Sequence, residues 1–195
     1  RGLVGLGDVY KRQINSYHEV KYLDADDISQ IIFLLILLAL SAFFSSSETA
    51  LTTVNKIRMR TLAEAGNTKA KKVLKVTENS PKMLSAILIG NNIVNLSASS
   101  LTTSLAIKLF GSVGAGVATG ILTFLILIFG EVSPKTLATI KADKISLSIA
   151  GFISVLMVVL TPVIFIINKL SLGVIFLFGI RPVSYTHLTL PTIRL

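Results

Sequence analysis

Oxygen-bearing side chains interrupt three apolar segments of this sequence. Asn91 and Asn95 lie four residues apart in the motif GNNIVN (90–95), so both fall on one face of a helix. In lipid, such groups must face a bundle interior or a wet cavity, because hydrocarbon offers them no hydrogen-bond partner. Matching insertions are FSSSET (44–49) and GEVSPK (130–135). Three interruptions of this kind predict one shared polar site.

The donor types in these motifs suit a hard cation. Asparagine oxygens, serine hydroxyls, the Glu131 carboxylate and carbonyls freed by Pro134 are all oxygen ligands. Mg²⁺ prefers six oxygens at roughly 2.0–2.1 Å with one or two carboxylates, and Na⁺ also suits a single carboxylate. The sequence has no Cys and only two His, which disfavours zinc and copper. From the residues alone, a cation site and plain polar helix packing both remain open.

Nucleophilic catalysis has no support in the sequence. The serines of 45–47 have no credible histidine partner and no G-x-S-x-G elbow, and no glycine loop of the phosphate-binding type occurs. We therefore predict that the protein is not an enzyme.

Composition indicates an integral membrane protein. Of 195 residues, 52% are hydrophobic, and the mean hydropathy is +0.75. The net charge of +9 predicts basic cytoplasmic loops rather than nucleic-acid binding. Because residues 56–82 are rich in Lys and Arg, this segment should stay in the cytoplasm, and the first span should run from outside to inside.

Three membrane spans are predicted, at residues 30–51, 83–110 and 113–130. Residues 56–82 are predicted to form an amphipathic helix or helix pair broken near Gly66. The G-x-x-x-G spacing of Gly116 and Gly120 in the third span predicts close helix packing within or between subunits. The apolar segment 145–180 is divided by Pro162. It either crosses once with a kink or lies partly along the inner interface.

The two ends of the chain look foreign to the protein. Residues 7–13 (GDVYKRQ) and 183–188 (VSYTHL) back-translate to one oligonucleotide in opposite orientations, which resembles a transposase sequencing adapter. Residues 1–13 and 183–195 are therefore predicted to be adapter-derived. Residues 14–29 are predicted to be an acidic extracytoplasmic lead-in.

Three motifs together resemble the transmembrane domain of the CNNM/CorC family, the cyclin M-like magnesium transporters. They are SAFFSSSETAL (41–51), GNNIVN (90–95) and GEVSPKT (130–136), in the family's order and spacing. The resemblance assigns residues 30–182 to that domain. It implies an all-α homodimer with the N-terminus outside, three transmembrane helices per subunit, short cytoplasmic helices and a juxtamembrane helix.

The resemblance also implies a site for a dehydrated Mg²⁺ between the spans. Its side-chain ligands would be Ser45, Asn91, Asn95 and Glu131, with a backbone carbonyl such as that of Gly130. Secondary candidates are Ser46, Ser47, Asn92 and Lys135.

The implied function is Mg²⁺ transport across the bacterial inner membrane, read as efflux, with Na⁺ as a candidate coupling ion. Paired CBS domains that bind adenine nucleotides would follow Pro182, so any nucleotide regulation is expected to act through those missing domains. The expected partners are a second copy and the lipid bilayer, not nucleic acid. Two rival functions are a membrane anchor or interaction module and a Na⁺-coupled carrier of another solute.

Overall fold

The computed structural model describes residues 24–177, and all side chains in this range except those of residues 112, 113 and 176. The predicted adapter-derived ends and residues 14–23 of the lead-in lie outside the described residues. The described helices are α1 (Ala25–Thr53), α2 (Lys56–Glu64), α3 (Thr68–Glu78), α4 (Ser80–Gly111), α5 (Gly114–Ile140), α6 (Ala142–Val159) and α7 (Thr161–Leu177). No strand occurs among them, so the all-α prediction is confirmed over this range.

Helix α1 begins with a capping box. The Asp24 carboxylate accepts a hydrogen bond from the N–H of Ala25, and the Asp27 carboxylate accepts one from the N–H of Asp24, both at 3.2 Å. These bonds satisfy amides that a first helical turn leaves without partners. Asp27 is 1% exposed and also pairs with Lys108 of α4 at 2.6 Å. An ion pair therefore joins the start of α1 to the end of α4.

A short basic hairpin, formed by α2 and α3, connects α1 to α4. Asn55 and Asn67 cap the two helices, because their side-chain oxygens accept hydrogen bonds from first-turn amides at 3.0–3.1 Å. Gly66 lies between the helices with a φ of 92°, a left-handed conformation that is unstrained only for glycine. The predicted helix pair with a break near Gly66 is confirmed.

Helices α4 and α5 follow each other directly. Pro81 lies in the first turn of α4, where its missing N–H removes no helical bond. At the other end, Gly111 has a φ of 74° and a ψ of −174°, and this non-helical residue separates α4 from α5. A methyl group on Gly116 or Gly120 of α5 would meet no atom within 4 Å. The predicted close packing at these two glycines therefore does not occur within the described part of the subunit.

Four helices between residues 24 and 177 are long and apolar enough to cross a membrane, namely α1, α4, α5 and α6. The first three coincide with the predicted spans. The fourth belongs to the segment 145–180, whose predicted division at Pro162 is confirmed, since α6 ends at Val159 and α7 begins at Thr161. Length and composition thus give four candidate spans where the sequence predicted three.

Helix α1 lies at the centre of the packing. It contacts α4, α6 and the second half of α5, while α3 packs against α2 and α6. Phe43 of α1 meets Phe152 of α6 edge to face, with ring centres 5.1 Å apart. The buried side chains form one apolar cluster, and many large apolar side chains of α1, α4, α5 and α6 lie on the exterior. Such an exterior is expected where helices face lipid.

Gly90 marks a close approach between α1 and α4. A methyl group at this position would lie 2.7 Å from two carbons of the Phe44 ring, and Phe44 is 6% exposed. We expect Gly90→Ala to displace the ring and to lower the free energy of unfolding by about 1–3 kcal/mol, as overpacking usually does. Thermal unfolding of the purified chain in detergent measures this change.

Gly173→Ala in α7 is the matched control, since a methyl group there would meet no atom within 4 Å. Its stability should equal or exceed that of the unaltered chain, because alanine favours helix more than glycine does. An equal loss of stability in both variants would contradict the tight contact at Gly90.

Candidate cation site

Two hydroxyl groups of α1 are buried without hydrogen-bond partners. Ser41 and Ser45 lie one helical turn apart and are 1% and 0% exposed, and neither hydroxyl has a partner among the described residues. By contrast, Ser46 and Ser47 donate hydrogen bonds to the carbonyl of Phe43, at 3.0 and 2.7 Å. Buried polar atoms are normally paired. The lone pairs of the Ser41 and Ser45 oxygens are therefore available to coordinate a cation.

Two amide oxygens of α4 share this property. The Oδ1 atoms of Asn91 and Asn95 are buried and have no hydrogen-bond partner in the described part of the chain. They lie one turn apart on one face of α4, whereas Asn92 is exposed. Because Gly90 packs against Phe44, this asparagine-rich turn lies beside the serine-rich turn of α1.

The third polar motif is an irregular part of α5. Residues Ile126–Val132 form a π-helix, and regular α-helix resumes at Ser133. Gly130 is buried within the π-helix, and a methyl group there would lie 2.9 Å from the hydroxyl oxygen of Ser41. Glu131 comes next and is partly buried, and its carboxylate forms no ion pair with any residue in 24–177.

Pro134 gives a physical reason for this irregularity. The N–H of Ser133 bonds to the carbonyl of Ile128, five residues earlier. The next amide would serve the carbonyl of Phe129 in the π pattern or of Gly130 in the α pattern, but proline has no N–H. One carbonyl of this segment therefore lacks a helical donor. Short π-helical segments of this kind are frequent at functional sites.

Helix α1 contacts both α4, at Gly90, and the π-helix, at Gly130. These two contacts place the asparagine-rich turn of α4 and the π-helix, which carries Glu131 and a carbonyl without a helical donor, against the serine-rich turn of α1. No group of three or more His, Cys, Asp or Glu side chains that could hold a metal occurs within residues 24–177. A cation bound here would be held by neutral oxygens and one carboxylate, a donor set suited to Mg²⁺ or Na⁺.

The secondary candidates Lys135, Ser46 and Ser47 already have partners within the chain. Lys135 pairs with Glu48 at 3.4 Å, and an ammonium group has no lone pair to offer a cation. The hydroxyls of Ser46 and Ser47 are bonded within α1. Ser41 was missed by the sequence reasoning, although its spacing of four residues from Ser45 places both on one face of α1.

A family model described as the cyclin M transmembrane N-terminal domain (CNNM) matches residues 31–194 of this sequence. The chain belongs to the CNNM family. This finding confirms the resemblance drawn from the three motifs.

Relatives of the CNNM domain support the same assignment. A UPF0053 protein of Haemophilus influenzae is 41% identical over 150 residues, covering 77% of this chain and 36% of that protein. The UPF0053 inner membrane protein YfjD of Escherichia coli is 38% identical over 142 residues, covering 73% and 33%. A chloroplastic DUF21 domain-containing protein of Arabidopsis thaliana is 33% identical over 167 residues, covering 85% and 25%.

The chain thus spans between a quarter and about a third of the length of these relatives. The inner-membrane relative and the long apolar helices together indicate a bacterial inner-membrane protein.

The unpaired hydroxyl of Ser45 leads to a prediction about the stability of the protein. Ser45→Ala removes an unsatisfied buried group, so the ion-free protein should keep its stability or gain up to about 1 kcal/mol. Ser47→Ala removes the hydrogen bond to Phe43 and should cost about 0.5–1.5 kcal/mol. Thermal unfolding in detergent with a chelator compares the two. A larger loss for Ser45→Ala would mean that its hydroxyl has a structural partner in the ion-free protein.

Proposed function

We propose that this CNNM domain transports Mg²⁺ across the inner membrane through a cation site between α1, α4 and α5. Its ligands would be the oxygens of Ser41, Ser45, Asn91, Asn95 and Glu131 and one backbone carbonyl, which we call the oxygen cluster. The observation that carries the proposal is the set of buried, unpartnered oxygens of Ser45, Asn91 and Asn95. Leaving a buried polar atom unpaired costs about 1–3 kcal/mol. Three such atoms in the turns where α1 meets α4 are accounted for if a cation ligates them, and Glu131 of the π-helix would then supply the negative charge.

The number and type of donors favour Mg²⁺ as the cargo. The four unpaired oxygens of Ser41, Ser45, Asn91 and Asn95, the Glu131 carboxylate and one backbone carbonyl would give six donors, the number that octahedral Mg²⁺ takes, with Glu131 as the single full charge. Efflux, with Na⁺ as the coupling ion, is the direction that the family resemblance implies. Release of the ion requires α1, α4 and α5 to rearrange around the cluster, as in alternating access.

The proposed topology has three spans per subunit, with α6 along the inner membrane surface and the N-terminus outside. Near its start, α6 places Asp143 in an ion pair with Arg58 at 3.0 Å. At its middle, a methyl group on Gly151 would lie 3.9 Å from Nζ of Lys72. Both cations belong to the basic hairpin, which should stay in the cytoplasm. A crossing helix would carry Gly151 about 12 Å away from Asp143 into the membrane, at 1.5 Å per residue.

A homodimer is the proposed assembly. Ser97, Ser100 and Ser104 of α4 are exposed and line an open cavity of about 580 Å³ on the outside of the subunit. Gly116 and Gly120 of α5 are also uncovered. Small and hydroxyl-bearing residues let membrane helices approach closely and bond across the interface. A second copy would cover these small and hydroxyl-bearing residues.

The ion dependence of stability tests the transport site. Mg²⁺ should raise the thermal midpoint of the chain, because a ligand of the folded state adds about 2.7 kcal/mol at a hundred times its dissociation constant. Glu131→Gln should abolish this rise by removing the only charged ligand. The matched control is Glu64→Gln, which makes the same change at an exposed carboxylate of α2.

Titrations with Mg²⁺ and Na⁺, each followed by thermal unfolding in detergent, give the readout. A Mg²⁺ response that survives in Glu131→Gln would refute the ligand assignment. No response to either ion in a folded dimer would favour the anchoring module, and a response to Na⁺ alone would favour a carrier of another solute.

The position of α6 can be tested by cysteine labelling, since the sequence has no Cys. Thr161→Cys should be protected from a membrane-impermeant maleimide in intact cells, because an interfacial α6 leaves residue 161 inside. Lys69→Cys is the inside control, and Asp26→Cys is the outside control. Labelling of Thr161→Cys to the level of Asp26→Cys would show that α6 crosses the membrane and that the subunit has four spans.

A further inference from the structure

Four cationic side chains surround one cleft in the basic hairpin. Lys56 and Arg60 of α2 and Lys71 and Lys75 of α3 line this cleft, whose volume is about 420 Å³. In each helix the two cations are four residues apart, so they lie on the same face and the two pairs flank one space. We call this space the basic cleft.

The basic cleft keeps a net positive charge, because its four cations are offset by one carboxylate, that of Glu78. None of the four cations forms an ion pair with an acidic residue in 24–177, although Glu78 also lines the cleft. Arg58, on another face of α2, does pair with Asp143. Like charges four residues apart destabilise a helix, and here two such pairs share one cleft. The cleft therefore has the field of an anion site.

A general excess of cytoplasmic Lys and Arg does not require this arrangement. The charge bias that sets membrane orientation depends on the number of cations near the membrane, not on their gathering around one space. Lys69 and Lys72 of α3 contribute to the bias and lie outside the basic cleft. A bound anion would explain why the other four cations gather around one space.

The position of the basic cleft favours a membrane ligand. Helix α2 begins at Lys56, three residues after α1 ends at Thr53, and α4 begins at Ser80, two residues after α3 ends at Glu78. Both ends of the hairpin are thus tied to helices that enter the membrane. Ile57, which follows Lys56 in α2, does not line the cleft but is 76% exposed and gives the hairpin an apolar side chain for contact with lipid.

We propose that the basic cleft binds the phosphate of an anionic phospholipid headgroup in the inner leaflet. Lysine and arginine side chains are the usual protein donors to phosphate oxygens, and cations close to a membrane are attracted to anionic lipids. The proposal does not depend on Mg²⁺ transport, because it rests on the hairpin and not on the oxygen cluster. A bound headgroup would hold the connection between α1 and α4 at the membrane surface.

The test uses the full chain in neutral detergent with three probes added separately. Phosphatidylglycerol should raise the thermal midpoint saturably, whereas phosphatidylcholine, which has no net charge, should not. Inorganic phosphate should act only at far higher concentration, because it lacks the acyl chains that hold a headgroup at the micelle surface. Phosphate as potent as phosphatidylglycerol would overturn the lipid assignment in favour of a soluble phosphate ligand, and equal effects of the two lipids would overturn the anion site itself.

Two charge-matched double variants separate the basic cleft from general electrostatics. K71Q/K75Q removes two cations from the cleft, and K69Q/K72Q removes two cations from the same helix outside it. The phosphatidylglycerol concentration at half-maximal shift should rise at least about tenfold in the first and less than about twofold in the second. Equal changes in both variants would refute a specific cleft.

A second pair of substitutions protects the test against a folding defect. K56Q/R60Q alters the opposite wall of the basic cleft and should produce a rise similar to that of K71Q/K75Q. The midpoint of each variant without lipid shows that it is folded. A folded K56Q/R60Q variant with an unaltered response to phosphatidylglycerol would also refute the proposal.

Discussion

The structure depends on the close packing of α1 against two other helices at glycine. Phe44 of α1 fills the space that a side chain on Gly90 would need, and Ser41 does the same at Gly130. These contacts set both the distance between the helices and the level at which the three polar motifs meet. A larger residue at either glycine would separate the oxygens of α1 from those of α4 and α5. Packing and the candidate site therefore rest on the same two contacts.

Six buried side-chain oxygens between residues 24 and 177 have no hydrogen-bond partner. Four of them, those of Ser41, Ser45, Asn91 and Asn95, lie in the turns where α1 meets α4 and the π-helix, and the other two belong to Thr102 and Ser146. Polar side chains that stabilise contacts between membrane helices do so by forming hydrogen bonds with each other across the contact. The unpaired oxygens form no such bonds with any described residue. By contrast, the hydroxyls of Ser46 and Ser47 in the same helix donate hydrogen bonds to the carbonyl of Phe43. The oxygens of Ser41, Ser45, Asn91 and Asn95 therefore do not join the helices by hydrogen bonds within the described residues. This contrast favours the cation site over plain polar packing.

The local features of this chain could be predicted from sequence, and the tertiary ones could not. Apolar length and a basic loop predict α1, α4, α5 and the hairpin with its break at Gly66, because these signals act within a few turns. The π-helix of α5 follows from Pro134, yet its register depends on how Gly130 meets Ser41. The place of α6 is decided by contacts with residues far away in sequence. The ligand set and the Mg²⁺ cargo remain predictions.

The constraints along the helices differ, and under the proposed transport function they indicate which helix would move. Helices α1 and α4 are tied at one end by the ion pair of Asp27 with Lys108 and at the other by the short α2–α3 hairpin. Helix α5 has a non-helical glycine, Gly111, just before it and a π-helix around Gly130. Hinges form where a few residues can absorb changes in backbone angle, and π-helical segments can shift by one residue at low cost. A motion of α5 would move Glu131 while Asn91 and Asn95 stay fixed, so under the proposed ligand set the carboxylate would be the group best placed to release the ion.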